Sequence, residues 1–268
     1  MRLKVLVDNN TYIDQYYYGE PAVSYYIEDH DKKILLDTGY SELFLTNMNH
    51  FSLDINMIDT IVLSHGHDDH TGGLKYLFQE KPRREVSIIA HPETFNKKML
   101  DGLSIGSPFG REEMEKKCNL TLSRTPLKVS ENITFLGEIP GRFDFEKSAP
   151  LGKAERGGSL ENDTLQEDSA LTCKTGEGIY IITGCSHAGI CNIIEYAKEV
   201  CEEERVLGVI GGFHLFDVTE RVKKTINYFH ENKIEKLYPC HCTSFQVRAS
   251  INKVIPVKEV GVGLEILW

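Results

Sequence analysis

The chain concentrates its metal-binding side chains in the segment Ser64-His65-Gly66-His67-Asp68-Asp69-His70-Thr71-Gly72-Gly73-Leu74, directly after the apolar run Ile61-Val62-Leu63. Three of the ten histidines, His65, His67 and His70, lie inside the six-residue stretch 65–70. In an extended strand, alternate side chains point the same way, so His65 and His67 face one side, and the following turn brings Asp69 and His70 to a neighbouring position. Imidazole and carboxylate together suit zinc, manganese or iron. The spacing therefore predicts a catalytic metal site, with a plain polar surface turn as the alternative.

The same residues carry a resemblance to a known family. The pattern His65-x-His67-x-Asp69-His70, preceded by Leu36-Asp37-Thr38-Gly39, resembles the signature of the metallo-β-lactamase superfamily. That resemblance implies an α/β (α+β) fold, the four-layer αββα sandwich of the superfamily. The strand-rich halves of the chain, each with interspersed helices, fit such a fold, and we expect one domain over residues 1–268.

Composition and charge restrict the class of protein further. A hydrophobic content of 41% and a charged content of 26% are ordinary for a globular domain. The formal net charge of −10 argues against a surface that coats nucleic acid. The start of the chain lacks the apolar region of a signal peptide, no later run approaches a membrane span, and the seven cysteines have no regular spacing. We expect a cytoplasmic protein with reduced thiols and no membrane or nucleic-acid partner.

Hydrophobic patterning predicts the order of the secondary structure. Residues 3–7, 22–27 and 33–36 predict an opening antiparallel sheet, and residues 41–48 predict a helix capped by Ser41. Pro92 predicts the start of another helix, and residues 170–174 and 179–182 predict a hairpin. We expect small closing strands after residue 239. His65, His187, His214 and His241 all follow apolar strands, and strand ends at one edge of a fold are where a site can be assembled from distant sequence.

One long polar segment interrupts this pattern. Residues 137–168 are glycine-dotted and include Arg142 among several acidic residues. Loops of that length inside compact domains are usually functional lids or disordered excursions. We interpret the segment as a lid and Arg142 as a substrate contact.

The resemblance implies a ligand set for one or two divalent transition metals, with zinc first and manganese or iron as alternatives. His65 and His67 would share one metal with His187, while Asp69 and His70 would share a second with His241. The chain departs from the superfamily pattern after Thr183-Gly184, where Cys185 replaces the usual bridging aspartate. Cys185 is a further candidate ligand as a thiolate, or a small buried residue.

Other side chains have predicted roles around the metals. By resemblance, Asp37 braces the metal-binding segment through hydrogen bonds, and it can equally be a turn aspartate that caps nearby backbone. We predict Asp69 and His214 as catalytic residues, with His214 able to donate a proton to a leaving group or to hold a phosphate. His91, at a strand end, is a predicted substrate contact. A structural histidine is the alternative for both His91 and His214.

Two motifs narrow the resemblance. Thr183-Gly184-Cys185-Ser186-His187-Ala188-Gly189 and Gly211-Gly212-Phe213-His214-Leu215 resemble the 7,8-dihydropterin-6-methyl-4-(β-D-ribofuranosyl)aminobenzene 5′-phosphate synthase group. The resemblance implies metal-assisted displacement of diphosphate from a dihydropterin. A phosphodiesterase-like hydrolase and a non-catalytic ligand sensor are the alternatives. The expected partner is a phosphorylated small molecule, and the sequence is compatible with a homo-oligomer.

Overall fold

The computed structural model describes residues 1–80 and 85–268, whose contacts form two compact units. The first unit comprises Met1–Arg124, Ala149–Glu167 and Gly261–Trp268. The second comprises Thr125–Ser148 and Asp168–Val260. The single domain over residues 1–268 stays a prediction.

The chain forms 17 strands and seven α-helices in the residues that the structure describes. The strands are β1 (Arg2–Val7), β2 (Ser24–Asp29), β3 (Lys32–Leu36), β4 (Thr60–Val62), β5 (Ser87–Ala90), β6 (Lys98–Leu100), β7 (Leu103–Ser104), β8 (Asn119–Leu122), β9 (Leu127–Lys128), β10 (Ile133–Phe135), β11 (Lys153–Arg156), β12 (Ser159–Asn162), β13 (Ala170–Lys174), β14 (Ile179–Thr183), β15 (Val206–Gly211), β16 (Leu237–Pro239) and β17 (Glu265–Leu267). The helices are α1 (Leu43–His50), α2 (Asp68–Thr71), α3 (Leu74–Gln79), α4 (Arg111–Lys117), α5 (Ile190–Cys201), α6 (Glu220–Glu231) and α7 (Phe245–Asn252).

The first unit is built on a seven-stranded sheet of order β17-β1-β2-β3-β4-β5-β8. Strands β1 to β3 pair antiparallel, which confirms the predicted opening sheet, whereas β3, β4, β5 and β8 run parallel. Its apolar side chains, among them Leu35, Ile61 and Ile88, pack with Phe44 of α1 and Leu77 of α3 in one buried cluster. Burial of this apolar surface drives the folding of the unit.

A small four-stranded sheet of order β12-β11-β6-β7 completes the first unit. Strands β11 and β12 form part of residues 137–168, the segment that the sequence predicts to be a lid. Lys98 of β6 is 1% exposed, and its ammonium lies 2.5 Å from Asp163 Oδ2 and 2.6 Å from Glu167 Oε1. Both carboxylates are fully buried, so the lysine fastens residues 163–167 to β6. Burial raises the pKa of Glu167, an effect that the Lys98 ammonium opposes.

The second unit is built on a six-stranded sheet of order β16-β15-β14-β13-β10-β9. Strands β13 and β14 form the predicted hairpin, and β14, β15 and β16 are parallel. Helix α5 and helix α6 bury apolar faces that include Ile193, Ile194 and Phe229 in the core of this unit. The parallel order directs the carboxyl ends of three neighbouring strands to one edge of the sheet.

Two local predictions are wrong, and one helix was missed. Helix α1 begins at Leu43 rather than Ser41, because the Ser41 hydroxyl donates to Glu20 Oε2 at 2.6 Å. Pro92 starts a turn closed by Thr94 N–H and the His91 carbonyl, not a helix. Helix α7 was not predicted, although Ser244 caps it by accepting from Val247 N–H. Within residues 1–80 and 85–268, no helix is long and apolar enough to cross a membrane.

The buried ion cluster of Lys98, Asp163 and Glu167, called the anchor below, can be tested directly. Lys98→Met should lower the free energy of unfolding by about 3–5 kcal/mol, because it leaves Glu167 buried without its cation and Asp163 with only Arg156, at 3.5 Å. Lys97→Met is the matched control, since Lys97 is 81% exposed and pairs with Glu155 at 3.4 Å. It should change stability by less than about 1 kcal/mol. Urea unfolding followed by circular dichroism measures both, and equal effects would contradict the anchor.

Candidate metal centre

The metal-binding segment, residues 64–71 and called the metal loop below, follows strand β4 and runs into helix α2. Strands β3, β4 and β5 are adjacent and parallel, so Asp37, the metal loop and His91 leave the same edge of the sheet. In open α/β sheets, ligands bind outside the carboxyl ends of the strands. The parallel register therefore explains how residues far apart in sequence meet here.

A buried network of hydrogen bonds orients the histidines of the metal loop. Asp37 Oδ1 accepts from Ser64 N–H at 2.7 Å, while Oδ2 accepts from the Ser64 hydroxyl and from His70 Nδ1, each at 2.7 Å. The hydroxyl has only one proton, so His65 Nδ1, 3.0 Å from Ser64 Oγ, is the donor in that contact. The protons on Nδ1 leave Nε2 of His65 and His70 as the metal-binding nitrogens. These contacts place Asp37 where the predicted brace would act.

The ligand atoms of the metal loop converge. His65, His67 and Asp69 offer ligand atoms that all lie within 4.8 Å of one another. His65 Nε2 lies 3.1 Å from His67 Nδ1, and His70 Nε2 lies 3.6 Å from Asp69 Oδ2. Two nitrogens that share a tetrahedral zinc at the usual Zn–N length are about 3.3 Å apart. The donor set and its spacing therefore fit a divalent transition metal.

The surroundings of His67 favour its neutral form. Burial lowers the pKa of His67 to about 4, despite the nearby Asp69 carboxylate. A neutral imidazole is the form that binds a metal. Gly66 is required on packing grounds, since a Cβ at this position would lie 2.3 Å from the Thr94 carbonyl oxygen and 2.8 Å from Lys98 Cε. The chain therefore packs tightly behind the histidine pair.

The two predicted substrate contacts both have charged neighbours. His91 is fully buried; its Nδ1 accepts from Glu93 N–H, and its Nε2 lies 3.2 Å from Arg124 Nη1. In the second unit, the guanidinium of Arg142 pairs with Glu199 of α5. The roles of His91 and Arg142 in substrate binding stay predictions. The sequence pattern did not predict roles for Ser64 or Arg124, although the position of Ser64 directly before His65 was an available signal.

In the second unit, the predicted residues His187, His214 and His241 follow the adjacent parallel strands β14, β15 and β16. The rings of His187 and His214 have their centroids 4.2 Å apart. His214 and His241 both have φ of +48°, and Ser186 has φ of +58°. Non-glycine residues in the left-handed region cost free energy and cluster at functional sites. The strand ends of the second unit are thus a candidate functional edge.

Close backbone packing ties these strand ends together. Gly211 has φ of +137°, and a Cβ there would lie 2.1 Å from the Thr183 carbonyl oxygen. The loop after β14 is fixed by Ser186 Oγ, which donates to the Gly212 carbonyl at 2.7 Å. Cys185 is buried, and its carbonyl accepts from Cys242 Sγ. Gly211 and Gly212 thus permit a close approach of the loops, since a Cβ at Gly212 would lie 2.4 Å from Cys242 Sγ.

Comparisons with known proteins point to one family. The sequence model of the metallo-β-lactamase superfamily matches residues 17–198. An uncharacterised protein of Methanocaldococcus jannaschii is 32% identical over 94% of this chain and 94% of its own length. The 7,8-dihydropterin-6-methyl-4-(β-D-ribofuranosyl)-aminobenzene-5′-phosphate synthase of the same organism is 35% identical over 80% of this chain and 76% of its own length.

Structural comparison gives the same result. The chain superposes on the crystal structure of Tm1679, described as a metal-dependent hydrolase of the β-lactamase superfamily, with a TM-score of 0.84. The two are 28% identical, and the match covers 100% of this chain and 99% of the other. This match confirms the predicted mixed α/β fold class.

The brace at Asp37 can be tested through metal affinity. Asp37→Asn keeps the shape of the side chain but removes the charge that fixes His70 Nδ1–H, so affinity for zinc should fall roughly 10- to 100-fold. Competition with a chromophoric chelator measures this affinity. Asp31→Asn, at an exposed turn position, removes the same charge and should leave affinity unchanged. Equal affinities of Asp37→Asn and the unmodified protein would contradict the brace.

Proposed function

The chain belongs to the metallo-β-lactamase superfamily, and on this premise we propose that it is a metal-dependent enzyme acting on a phosphorylated or diphosphorylated small molecule. The first candidate reaction is a transfer of the dihydropterin type, in which diphosphate leaves. The observation that carries the proposal is the convergence of His65, His67 and Asp69 in the metal loop. The relative named as a dihydropterin-ribofuranosylaminobenzene phosphate synthase supports this substrate class.

The metal loop can hold a metal because its imidazoles are fixed before the metal arrives. The Ser64 hydroxyl and the Asp37 carboxylate accept hydrogen bonds from Nδ1–H of His65 and His70, so little side-chain ordering is left to binding. A divalent metal supplies Lewis acidity toward phosphate oxygens and lowers the pKa of water. We propose zinc, with manganese or iron as alternatives.

Further roles rest on family resemblance and on position. We propose His187 and His241 as additional metal ligands, Cys185 as a further candidate ligand, and Asp69 as a ligand that also positions the reacting group. His214 would donate a proton to the leaving group or hold its phosphate. The left-handed backbone at His214 and its ring contact with His187 support a functional role. Residues 137–168 are proposed as a lid.

A metal-dependent hydrolase is the second candidate. The structural match to Tm1679, whose description is a metal-dependent hydrolase, favours it. A donor set that polarises a phosphate oxygen can serve hydrolysis and transfer alike, and the acceptor decides which occurs. A ligand sensor that keeps the metal without turnover is the third alternative.

Metal dependence is tested with the reconstituted protein. Turnover of bis(p-nitrophenyl) phosphate should disappear on addition of a chelator and return with zinc or manganese. His67→Ala should lower bound metal and reduce kcat/KM by at least about 100-fold, because it removes one imidazole from the converging set. His30→Ala is the matched control, since His30 is exposed in a turn. Protein that binds no transition metal after reconstitution would overturn the proposal.

The transferase and the hydrolase differ in their need for an acceptor. Diphosphate release from a dihydropterin diphosphate should require an aminobenzene ribose phosphate if the enzyme is a transferase. Release without the acceptor would instead support the hydrolase. Bound metal without turnover on either substrate, across metals, would favour the sensor.

His214 can be separated from the metal ligands. His214→Gln should reduce kcat by roughly 100-fold or more, as expected for loss of a general acid, while metal content stays at the level of the unmodified protein. The plot of kcat against pH should also lose its basic limb, the decline at high pH that deprotonation of a general acid causes. His230→Gln, an exposed helix residue, should change neither quantity. Loss of metal from His214→Gln, or unchanged turnover, would contradict its role as a proton donor.

A further inference from the structure

An open cleft of about 460 Å³ adjoins the metal loop within the first unit. Its volume lies in the range of small-molecule sites, about 300–1,000 Å³. The cleft is lined by residues from the metal loop, from the β6–β7 region and from the segments before β2, α1 and β11: Pro21, Tyr40, His67, Asp68, Asp69, Leu100, Ile105 and Leu151. Because His67 and Asp69 are among these residues, a molecule in the cleft would touch the candidate metal ligands directly.

The walls of the cleft are largely apolar. Leu100 ends β6, Ile105 follows β7, and Leu151 precedes β11, so the small four-stranded sheet supplies three aliphatic side chains. Tyr40 is 53% exposed, and its backbone N–H donates to Glu20 Oε1 at 2.9 Å. An exposed aromatic ring on a fixed backbone is a stacking surface for another flat ring.

The charged groups of the cleft have one sign. Among the described residues that line it, none is a lysine or an arginine, and both acidic residues, Asp68 and Asp69, belong to the metal loop. Away from the metal ligands, a phosphate placed against these walls would meet the Asp68 carboxylate and no lysine or arginine, which is unfavourable. The cleft therefore suits the uncharged end of a substrate whose phosphate lies elsewhere.

Asp68 adds a polar feature to the apolar walls. It occupies the position between His67 and Asp69 that the ligand pattern leaves variable, and it lines the cleft. Its backbone N–H donates to the Ile105 carbonyl at 3.0 Å, which holds the residue beside the wall that Ile105 forms. An aspartate carboxylate can accept from N–H groups on the edge of a ring.

We propose that this cleft binds an uncharged, planar heteroaromatic ring of the substrate, stacked on Tyr40 and donating ring-edge N–H groups to Asp68. The proposal rests on the proposed function, because it assigns the non-phosphorylated end of that substrate. It makes Tyr40 and Asp68 the residues that determine which ring is accepted. The ring atom that carries the phosphorylated substituent would then lie next to the metal loop.

Fluorescence titration of the full-length protein with two ring probes tests the proposal. Pterin has N–H donors on its edge, and 2-methoxynaphthalene is a flat ring system of similar size with no hydrogen-bond donor. Tyr40→Ala should raise the Kd of both probes roughly 3- to 10-fold, and Tyr40→Phe should leave both unchanged, because stacking needs the ring and not its hydroxyl. Asp68→Asn should raise the Kd of pterin roughly tenfold and that of 2-methoxynaphthalene little.

The matched control is Tyr16→Ala, which removes a tyrosine that is 87% exposed and does not line the cleft. It should alter neither Kd. Equal binding of both probes to Tyr40→Ala and the unmodified protein would overturn the stacking site. An equal effect of Asp68→Asn on both probes would overturn the edge contact. Displacement of pterin by 1-octanol at lower concentration than by 2-methoxynaphthalene would assign the cleft to an aliphatic chain and also overturn the proposal.

Metal analysis of the same samples separates this inference from the proposed function. Ring binding requires no turnover, so both Kd values are measured whether or not the protein is active. Protein that holds metal but binds neither probe would overturn the ring site and leave the proposed function standing. Protein that binds the rings but takes up no metal after reconstitution would overturn the proposed function and leave the ring site standing.

Discussion

The carboxylate of Asp37 is the contact on which the metal loop depends. It is fully buried and receives three hydrogen bonds, from the Ser64 backbone, the Ser64 hydroxyl and His70 Nδ1. A buried charge is costly unless hydrogen-bond donors surround it. The same donors that stabilise Asp37 are the groups that fix the protonation of His65 and His70. Stability and orientation of the ligand set are therefore consequences of a single network.

In the small four-stranded sheet next to the metal loop, buried charged groups are likewise stabilised by their partners and fix the local structure. Lys98 is held by Asp163 and Glu167 in a region closed to water, and its side chain packs against Gly66. Such clusters add little net stability but strongly disfavour other arrangements of the same groups. Part of the segment predicted as a lid is thereby fastened to β6, and the aliphatic wall of the cleft is set beside His67. The anchor and the candidate substrate surface are built from the same strands.

Each unit uses the ends of adjacent parallel strands to collect polar side chains. In the first unit, β3, β4 and β5 deliver Asp37, the metal loop and His91, and in the second unit β14, β15 and β16 deliver His187, His214 and His241. The strands themselves are apolar and buried, so functional residues are confined to the loops that follow them. Left-handed backbone at Asp37, Ser186, His214 and His241 marks these loops as positions where conformation is imposed by the surroundings.

Local sequence determined much of this arrangement. Apolar runs predicted the opening sheet, the hairpin of β13 and β14 and the histidines at strand ends, because burial imposes a short-range pattern that a sequence displays directly. The spacing of His65, His67, Asp69 and His70 predicted a shared ligand set, because alternate side chains of an extended segment point the same way. Helix α7 and the start of α1 were missed or displaced, since capping by Ser244 and the competing bond from Ser41 to Glu20 outweigh propensity. The tertiary structure alone decided the tautomers of His65 and His70, the burial of Lys98 and the cleft beside Asp68. Each of these depends on contacts between residues more than 25 positions apart, such as Asp37 with Ser64 or Lys98 with Asp163, and only the folded chain brings such residues together.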